Sequence, residues 1–182
     1  SIHNLKNMKT QETSNKVIYP YLPNGCNFLY TDESNSFMFE AKKMAMLSNE
    51  KQQPTGAVVV CDGKIISKAS SHNPLSNSIL INLHKKFCIR HMLHIPTGEK
   101  YWICPGCANK KSHAEYKAIE KLLKTGNTIA ESVYLWGHWW CCDVCWGNML
   151  KLGIHDVYLL EGSHELFNPR HPKNIIGHQF DN

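Results

Sequence analysis

Two short motifs in the second half of the chain carry the residue types of a metal-dependent active site. In the first, His113 precedes Glu115 by two residues, and the second is a CxxC pair formed by Cys142 and Cys145. Zinc prefers imidazole nitrogen and thiolate sulfur, and a catalytic zinc keeps three protein ligands and one position open to water. His113, Cys142 and Cys145 therefore predict a catalytic zinc site. Glu115 lies close enough along the chain to move protons at the open position without binding the ion.

Both motifs are predicted to open helices. Residues 112–124 have apolar side chains at helical spacing and end before Gly126, and residues 142–152 form a second such segment before Gly153. The amino-terminal end of a helix carries partial positive charge, which favours thiolate over thiol. Two such ends facing each other would therefore favour metal binding.

Each part of the pattern has a simpler explanation when it is taken alone. Ser112 and Glu115 have the spacing of a capping box, and an isolated CxxC pair can be a redox pair. The joint occurrence of both motifs at predicted helix starts, with a predicted strand between them, favours the zinc site. Cys141 directly precedes Cys142 and stays open as an alternative ligand.

A second group of cysteines and histidines precedes the first motif. Residues 71–112 form a long, loop-rich insertion, and a segment of this length needs something to organise it. His84 and Cys88 are four residues apart and would share one face of a helix. Cys104-Pro-Gly-Cys107 is a tight knuckle with two thiols. Together these residues predict a closed Cys3His zinc site of the structural kind.

Two alternatives remain open for this second site. His91 or His94 could replace His84 as the nitrogen ligand, or the thiols could be unrelated. The chain has eight cysteines and eleven histidines. Structural disulfides are rare in reducing compartments, so metal binding is the leading explanation for this content.

Length and composition are those of one globular domain of 182 residues. We expect a flexible arm over residues 1–16 and a single domain over 17–182. The sequence has neither the run of about 20 apolar residues that crosses a bilayer nor an apolar leader, which predicts a cytoplasmic protein without membrane contact. The net charge of +5 includes only two arginines. It suits an anionic small molecule better than a nucleic acid.

The remaining elements predict an α/β domain with a mixed sheet. Helices and strands alternate after residue 112, which is typical of parallel pairing, whereas Asp62-Gly63 predicts an antiparallel hairpin. Residues 17–30 are expected to be an extended segment lying on the domain. The predicted elements are a helix at 34–50, strands at 57–61, 64–69, 132–136 and 157–160, and a weak candidate for a fifth strand at 174–180.

Over about residues 34–160 the chain resembles the cytidine/deoxycytidylate deaminase superfamily. The resemblance rests on His113-Ala-Glu115, on Cys142-x-x-Cys145 and on the hairpin that begins at Gly56. It implies a three-layer α/β/α fold with a mixed sheet of about five strands and one catalytic zinc. It also implies that Glu115 carries a proton from water to ring N3 and then helps to protonate the leaving amine. Some deoxycytidylate deaminases carry a second zinc just before the catalytic helix.

One departure from the family pattern concerns the residue before the CxxC motif, which is usually proline and here is Cys141. The short chain, its modest charge and the lysines beside the first motif favour a free cytosine nucleotide, dCMP or CMP, as the substrate. The residues with candidate substrate roles lie near the two motifs or after the hairpin. They are Lys110 and Lys111 for a phosphate, Asn73 for the sugar or base, and Trp139 and Trp140 for stacking on a base.

Two other functions stay open. A cytosine or adenine deaminase acting on single-stranded DNA or tRNA would use aromatic residues and the 18 lysines, although the few arginines weigh against it. A non-catalytic, zinc-stabilised binding module would have no need of Glu115. Members of the family often form oligomers, so a homo-oligomer is compatible with the sequence.

Overall fold

The computed structural model describes residues 20–96 and 99–181. The arm expected over 1–16 lies outside the described residues. The described part is built on one five-stranded sheet with the strand order β1-β5-β4-β2-β3. The strands are β1 (Asn27–Thr31), β2 (Gly56–Cys61), β3 (Lys64–Ser70), β4 (Ser132–Trp136) and β5 (Asp156–Leu160). The helices are α1 (Ser36–Met46), α2 (Ser78–Lys86), α3 (Ile89–Met92), α4 (Ala114–Lys124), α5 (Asp143–Lys151) and α6 (Ser163–Leu166).

The sheet is mixed, as the sequence predicts. β5 pairs in parallel with both β1 and β4, whereas β2 pairs antiparallel with β3 and β4. The β2–β3 hairpin turns at Asp62 and Gly63, with φ of 50° and 66°. Positive φ at both central residues matches the right-handed twist of the two strands. This confirms the hairpin that Asp62-Gly63 predicts.

Alternating side chains of β2 enter two separate cores. Val58 and Val60 pack with α1 on one face of the sheet. Ala57 and Val59 pack with α4 and α5 on the other face. Side chains of a strand point alternately to the two faces, so this partition requires helices on both sides. The three-layer α/β/α arrangement is therefore confirmed.

Helix α1 packs unusually close to the start of β2. A Cβ atom added to Gly56 would lie within 1.9 Å of the carbonyl oxygen of Ala41. Only glycine allows this approach, because any side chain would collide with the helix backbone. The helix itself is shorter than the sequence predicts and ends at Met46.

The prediction of a fifth strand at 174–180 is wrong, and the fifth strand is β1. The tail instead forms turns, in which Gly177 N donates to Gln52 O at 3.0 Å and Phe180 stacks on Trp136 at 5.2 Å. Its apolar side chains therefore cover the α1 face of the sheet without pairing. β1 is an edge strand with a partly exposed pattern, and its sole strand partner among the described residues is β5.

Candidate active site

The two motifs meet where α4 and α5 begin. His113 is the N-cap residue of α4, and Cys142 is the N-cap residue of α5. Both helices pack on the same face of the sheet. A 3-10 turn, Lys110–Ser112, leads into His113 and is anchored by a hydrogen bond from His72 N to Ser112 O at 3.1 Å.

Three side chains of these motifs form the first cluster, which consists of His113, Cys142 and Cys145. His113 Nδ1 lies 3.5 Å from Cys142 Sγ and 3.6 Å from Cys145 Sγ, and the two sulfur atoms are 3.4 Å apart. Ligands around a tetrahedral zinc, with bonds of about 2.0–2.3 Å, are separated by roughly 3.5–3.8 Å. The donor types and their spacing therefore fit a zinc ion.

The electrostatics of the first cluster also suit a cation. A hydrogen bond between the side chains of Cys142 and Cys145 lowers the pKa of Cys142 to about 5, against the effect of burial. Burial raises the pKa of Cys145 itself well above its usual range, because a lone thiolate is costly away from water. A cation among the donors would offset this cost and allow both sulfurs to be thiolates.

Glu115 lies in the first turn of α4 and is only 4% exposed. Its Oε1 atom is 3.9 Å from His113 Nδ1. The positive end of the helix stabilises a carboxylate at this position. Because α4 begins after His113, Ser112 is not the N-cap residue, and the capping-box alternative for Ser112 and Glu115 is wrong.

Cys141 does not belong to the first cluster. Its side chain is fully buried in the core between the sheet and the helices. The group of ligand atoms that share one centre contains His113, Cys142 and Cys145 without it. Burial raises the pKa of the Cys141 thiol well above its usual value, so it behaves as an apolar side chain.

The insertion brings together the second cluster, which consists of His84, Cys88, Cys104 and Cys107. One ligand atom from each residue lies within 4.8 Å of all the others. Cys107 Sγ is 3.5 Å from both Cys88 Sγ and His84 Nε2. Burial opposes a thiolate at Cys104, but backbone N–H groups of Gly106 and Ile89 lower its pKa to about 6. This set fits a Cys3His metal site.

The histidine alternatives for the second cluster lie elsewhere. His91 and His94 are both exposed, and neither belongs to the group of atoms that share this centre. Gly106 fits closely against His84, since an added Cβ would lie 2.4 Å from Cδ2 of the imidazole ring. The ring of His84 can therefore pack against the Cys104–Cys107 knuckle only because residue 106 is glycine.

Arg90 is a residue whose role the sequence reasoning missed. It is 6% exposed, and it donates from Nε to Glu99 O at 2.9 Å and from Nη2 to Pro96 O at 2.6 Å. Its Nη1 lies 3.7 Å from Cys107 Sγ. The guanidinium therefore places a permanent positive charge beside a sulfur donor of the second cluster. In the sequence, the position of Arg90 two residues after Cys88 could have indicated this role.

A cavity of about 280 Å³ lies between the two clusters. His113 of the first cluster lines it, and so do His84 and Cys107 of the second. Asn73 and Glu50 form another part of the wall, where Asn73 Nδ2 donates to Glu50 Oε2 at 3.0 Å. Residues of the insertion therefore form part of the cavity wall.

The other predicted substrate contacts are not among the residues that line this cavity. Lys110 pairs with Asp143 at 2.5 Å, and Lys111 is exposed on the neighbouring turn. Trp139 packs edge-on against the ring of His164, with 4.8 Å between centroids. Trp140 packs against the core on the α4 and α5 face. Of the five predicted substrate contacts, Asn73 alone lines the cavity.

His138 is a further residue that the sequence reasoning missed. It is a neutral imidazole near the first cluster. Burial lowers its pKa to about 4, against the opposing charge of Glu115. Its Nδ1 lies 2.9 Å from the carbonyl oxygen and 3.3 Å from the backbone nitrogen of Trp140, so the backbone of that residue holds the ring. The lowered pKa favours an uncharged ring near the donors of the first cluster.

A comparison with protein families agrees with this geometry. The model of the cytidine and deoxycytidylate deaminase zinc-binding region matches residues 31–161, which include both clusters. A comparison with curated proteins gives no match. In the part of the chain that the structure describes, no helix has the length and apolar character to cross a bilayer.

The family match supports zinc-dependent hydrolytic deamination of a small molecule in general terms. It spans well over half of the 182 residues and extends from the end of β1 to the residue after β5. The chain belongs to the cytidine and deoxycytidylate deaminase family of zinc-binding proteins.

Proposed function

We propose that the protein deaminates a free cytosine nucleotide, converting dCMP or CMP with water into dUMP or UMP and ammonia. The observation that carries this proposal is the cavity that begins at His113 and is walled by Asn73 and Glu50. Its volume of about 280 Å³ lies just below the ~300–1,000 Å³ of most ligand pockets, and this small size favours a single nucleotide over a polymer.

His113, Cys142 and Cys145 are the proposed ligands of the catalytic zinc. Their spacing of 3.4–3.6 Å and their two thiols support this assignment. When bound, zinc supplies a Lewis acid and lowers the pKa of a water molecule, which makes hydroxide available near neutral pH. The fixed N-cap positions of His113 and Cys142 hold the donors in place for it.

Glu115 is the proposed proton carrier. Its carboxylate takes a proton from the attacking water, delivers it to ring N3 of the cytosine, and then assists protonation of the departing amine. The short distance to His113 keeps the carboxylate beside the donors, and its burial keeps bulk water away. Glu115 ends the cycle in its starting state, so the net change is water in and ammonia out.

Asn73 is the proposed contact for the sugar or the base edge. Its Oδ1 accepts from Leu75 N at 2.9 Å, and its Nδ2 donates to Glu50, so the amide is held in one orientation. Nδ2 has a second hydrogen to offer to a ligand oxygen. Lys110, Lys111, Trp139 and Trp140 do not line the cavity, and we propose no direct contact for them.

The second cluster is the proposed site of a structural zinc, which would give each chain about two zinc ions. The closed set of four donors and the buried Arg90 support it. Thiolate ligands of this kind persist in a reducing compartment, so we also propose a cytoplasmic location.

A substrate panel tests the proposed function. Ammonia release is measured with cytidine, CMP, deoxycytidine, dCMP, adenosine and a cytosine-containing single-stranded oligonucleotide. We expect the highest kcat/KM on dCMP or CMP. Turnover on the oligonucleotide alone, falling steeply with salt, would overturn the nucleotide proposal and favour a polynucleotide deaminase. If the zinc-loaded protein releases no ammonia from any of these substrates, the result would favour a non-catalytic binding module.

A further inference from the structure

One cationic side chain lies in the wall of the cavity. Among the described Lys and Arg residues, Lys85 alone lines it. No described carboxylate forms an ion pair with Lys85, whereas Lys110 is engaged by Asp143. Lys85 and its neighbour Lys86 are both exposed, but Lys86 does not line the cavity. The cavity therefore offers one ammonium group to a ligand.

The second cluster positions this lysine. Lys85 follows His84 on α2, and α2 has no buried residue of its own. Core packing therefore does little to hold the helix. His84 is held instead, because its ring packs on Gly106 and its Nε2 lies 3.5 Å from Cys107 Sγ. Fixing His84 in the second cluster also fixes Lys85 in the cavity wall.

The carboxylate of Glu50, which also lines the cavity, supports Lys85 as the group that would attract an anion. The Glu50 carboxylate accepts from Asn73 Nδ2 and from Gln52 N, at 3.0 and 3.1 Å. An anionic ligand group is repelled by this carboxylate and attracted by an ammonium. Glu50 and Asn73 suit hydroxyl groups of a ligand, and Lys85 suits an anionic group.

We propose that Lys85 binds the phosphate of the nucleotide substrate and that the second cluster acts in substrate recognition by holding α2. The proposal rests on the proposed nucleotide deaminase activity. A phosphate carries about two negative charges near neutral pH, and lysine binds it as a point charge. The metal-binding knuckle is then a means of making the site selective for nucleotides over nucleosides.

The test compares Lys85→Met with Lys86→Met, the adjacent exposed lysine. Steady-state kinetics are measured on dCMP and on deoxycytidine, with the zinc content of every variant as a control. We expect Lys85→Met to raise KM for dCMP by about 10–100-fold, and by much more than it raises KM for deoxycytidine. Lys85→Arg should restore most of the loss, and Lys86→Met should behave as the wild type.

Binding to the inactive Glu115→Gln variant gives the same comparison if deoxycytidine turns over too slowly. Calorimetry would then compare dCMP with deoxycytidine, with and without Lys85→Met. Equal losses for both ligands, or no loss, in a protein that deaminates dCMP would overturn the role of Lys85 alone. A wild-type protein that acts on neither dCMP nor CMP would overturn the proposed function as well.

Discussion

The guanidinium of Arg90 and the sulfur of Cys107 lie 3.7 Å apart in a buried part of the insertion. Arginine keeps its charge at any accessible pH. A buried cation is stabilised by a nearby anion, and deprotonation of the neighbouring cysteines would supply one. In the proposed structural zinc site, three thiolates around one divalent ion would leave one negative charge, which Arg90 would balance.

The first prediction concerns this charge balance. Arg90→Met should weaken zinc binding at the second cluster and lower the free energy of unfolding by about 2 kcal/mol, because the carbonyls of Pro96 and Glu99 lose their charged donor. Competition with a chelator and thermal unfolding measure the two effects. Arg170→Met, at the other arginine of the chain, is exposed and serves as control. Equal zinc affinity in both variants would contradict the role of Arg90.

The second prediction concerns metal content. Wild-type protein should hold about two zinc ions per chain, and Cys104→Ala should retain only the ion of the first cluster. Elemental analysis by mass spectrometry gives the ratio. Cys26→Ala removes a buried thiol outside both clusters and should leave the ratio unchanged. If the wild type and Cys104→Ala each hold one zinc ion per chain, the second cluster is not a zinc site.

The third prediction concerns the knuckle. Gly106→Ala should displace the ring of His84, because the new Cβ would lie 2.4 Å from it, and zinc should leave the second cluster more readily. The rate of zinc transfer to a colorimetric chelator reports this change. Gly147→Ala is the matched control, since a Cβ there meets nothing within 4 Å and alanine favours its helix. The same transfer rate in both variants would argue against the fit of Gly106 to His84.

Local patterns predicted the centre of the fold and both clusters. β4 spans Ser132–Trp136 as predicted, since a short apolar β-rich run between two helices has few alternatives. The first cluster could be predicted because its motifs place His113 and Cys142 at helix starts. These features depend on residues that are close together in the sequence, so a local sequence pattern is enough to predict them.

Features that depend on distant parts of the chain could not be predicted. β1 exists because residues 27–31 pair with β5, more than 120 residues away, and its own pattern is that of a partly exposed edge. Lys110 is close to His113 in sequence but pairs with Asp143, whereas Lys85 reaches the cavity from a separate helix. Proximity along the chain was therefore a poor guide to which residues line the cavity.

Glu115 is the proposed proton carrier of a zinc-dependent deamination. The most direct measurement is ammonia release from dCMP by Glu115→Gln, with zinc content determined on the same sample. Glu120→Gln is the control, because Glu120 lies on the same helix and pairs at the surface with Lys124. We predict that Glu115→Gln keeps its zinc and loses at least about 100-fold in kcat, while Glu120→Gln matches the wild type. Wild-type turnover in a zinc-loaded Glu115→Gln variant would contradict the account.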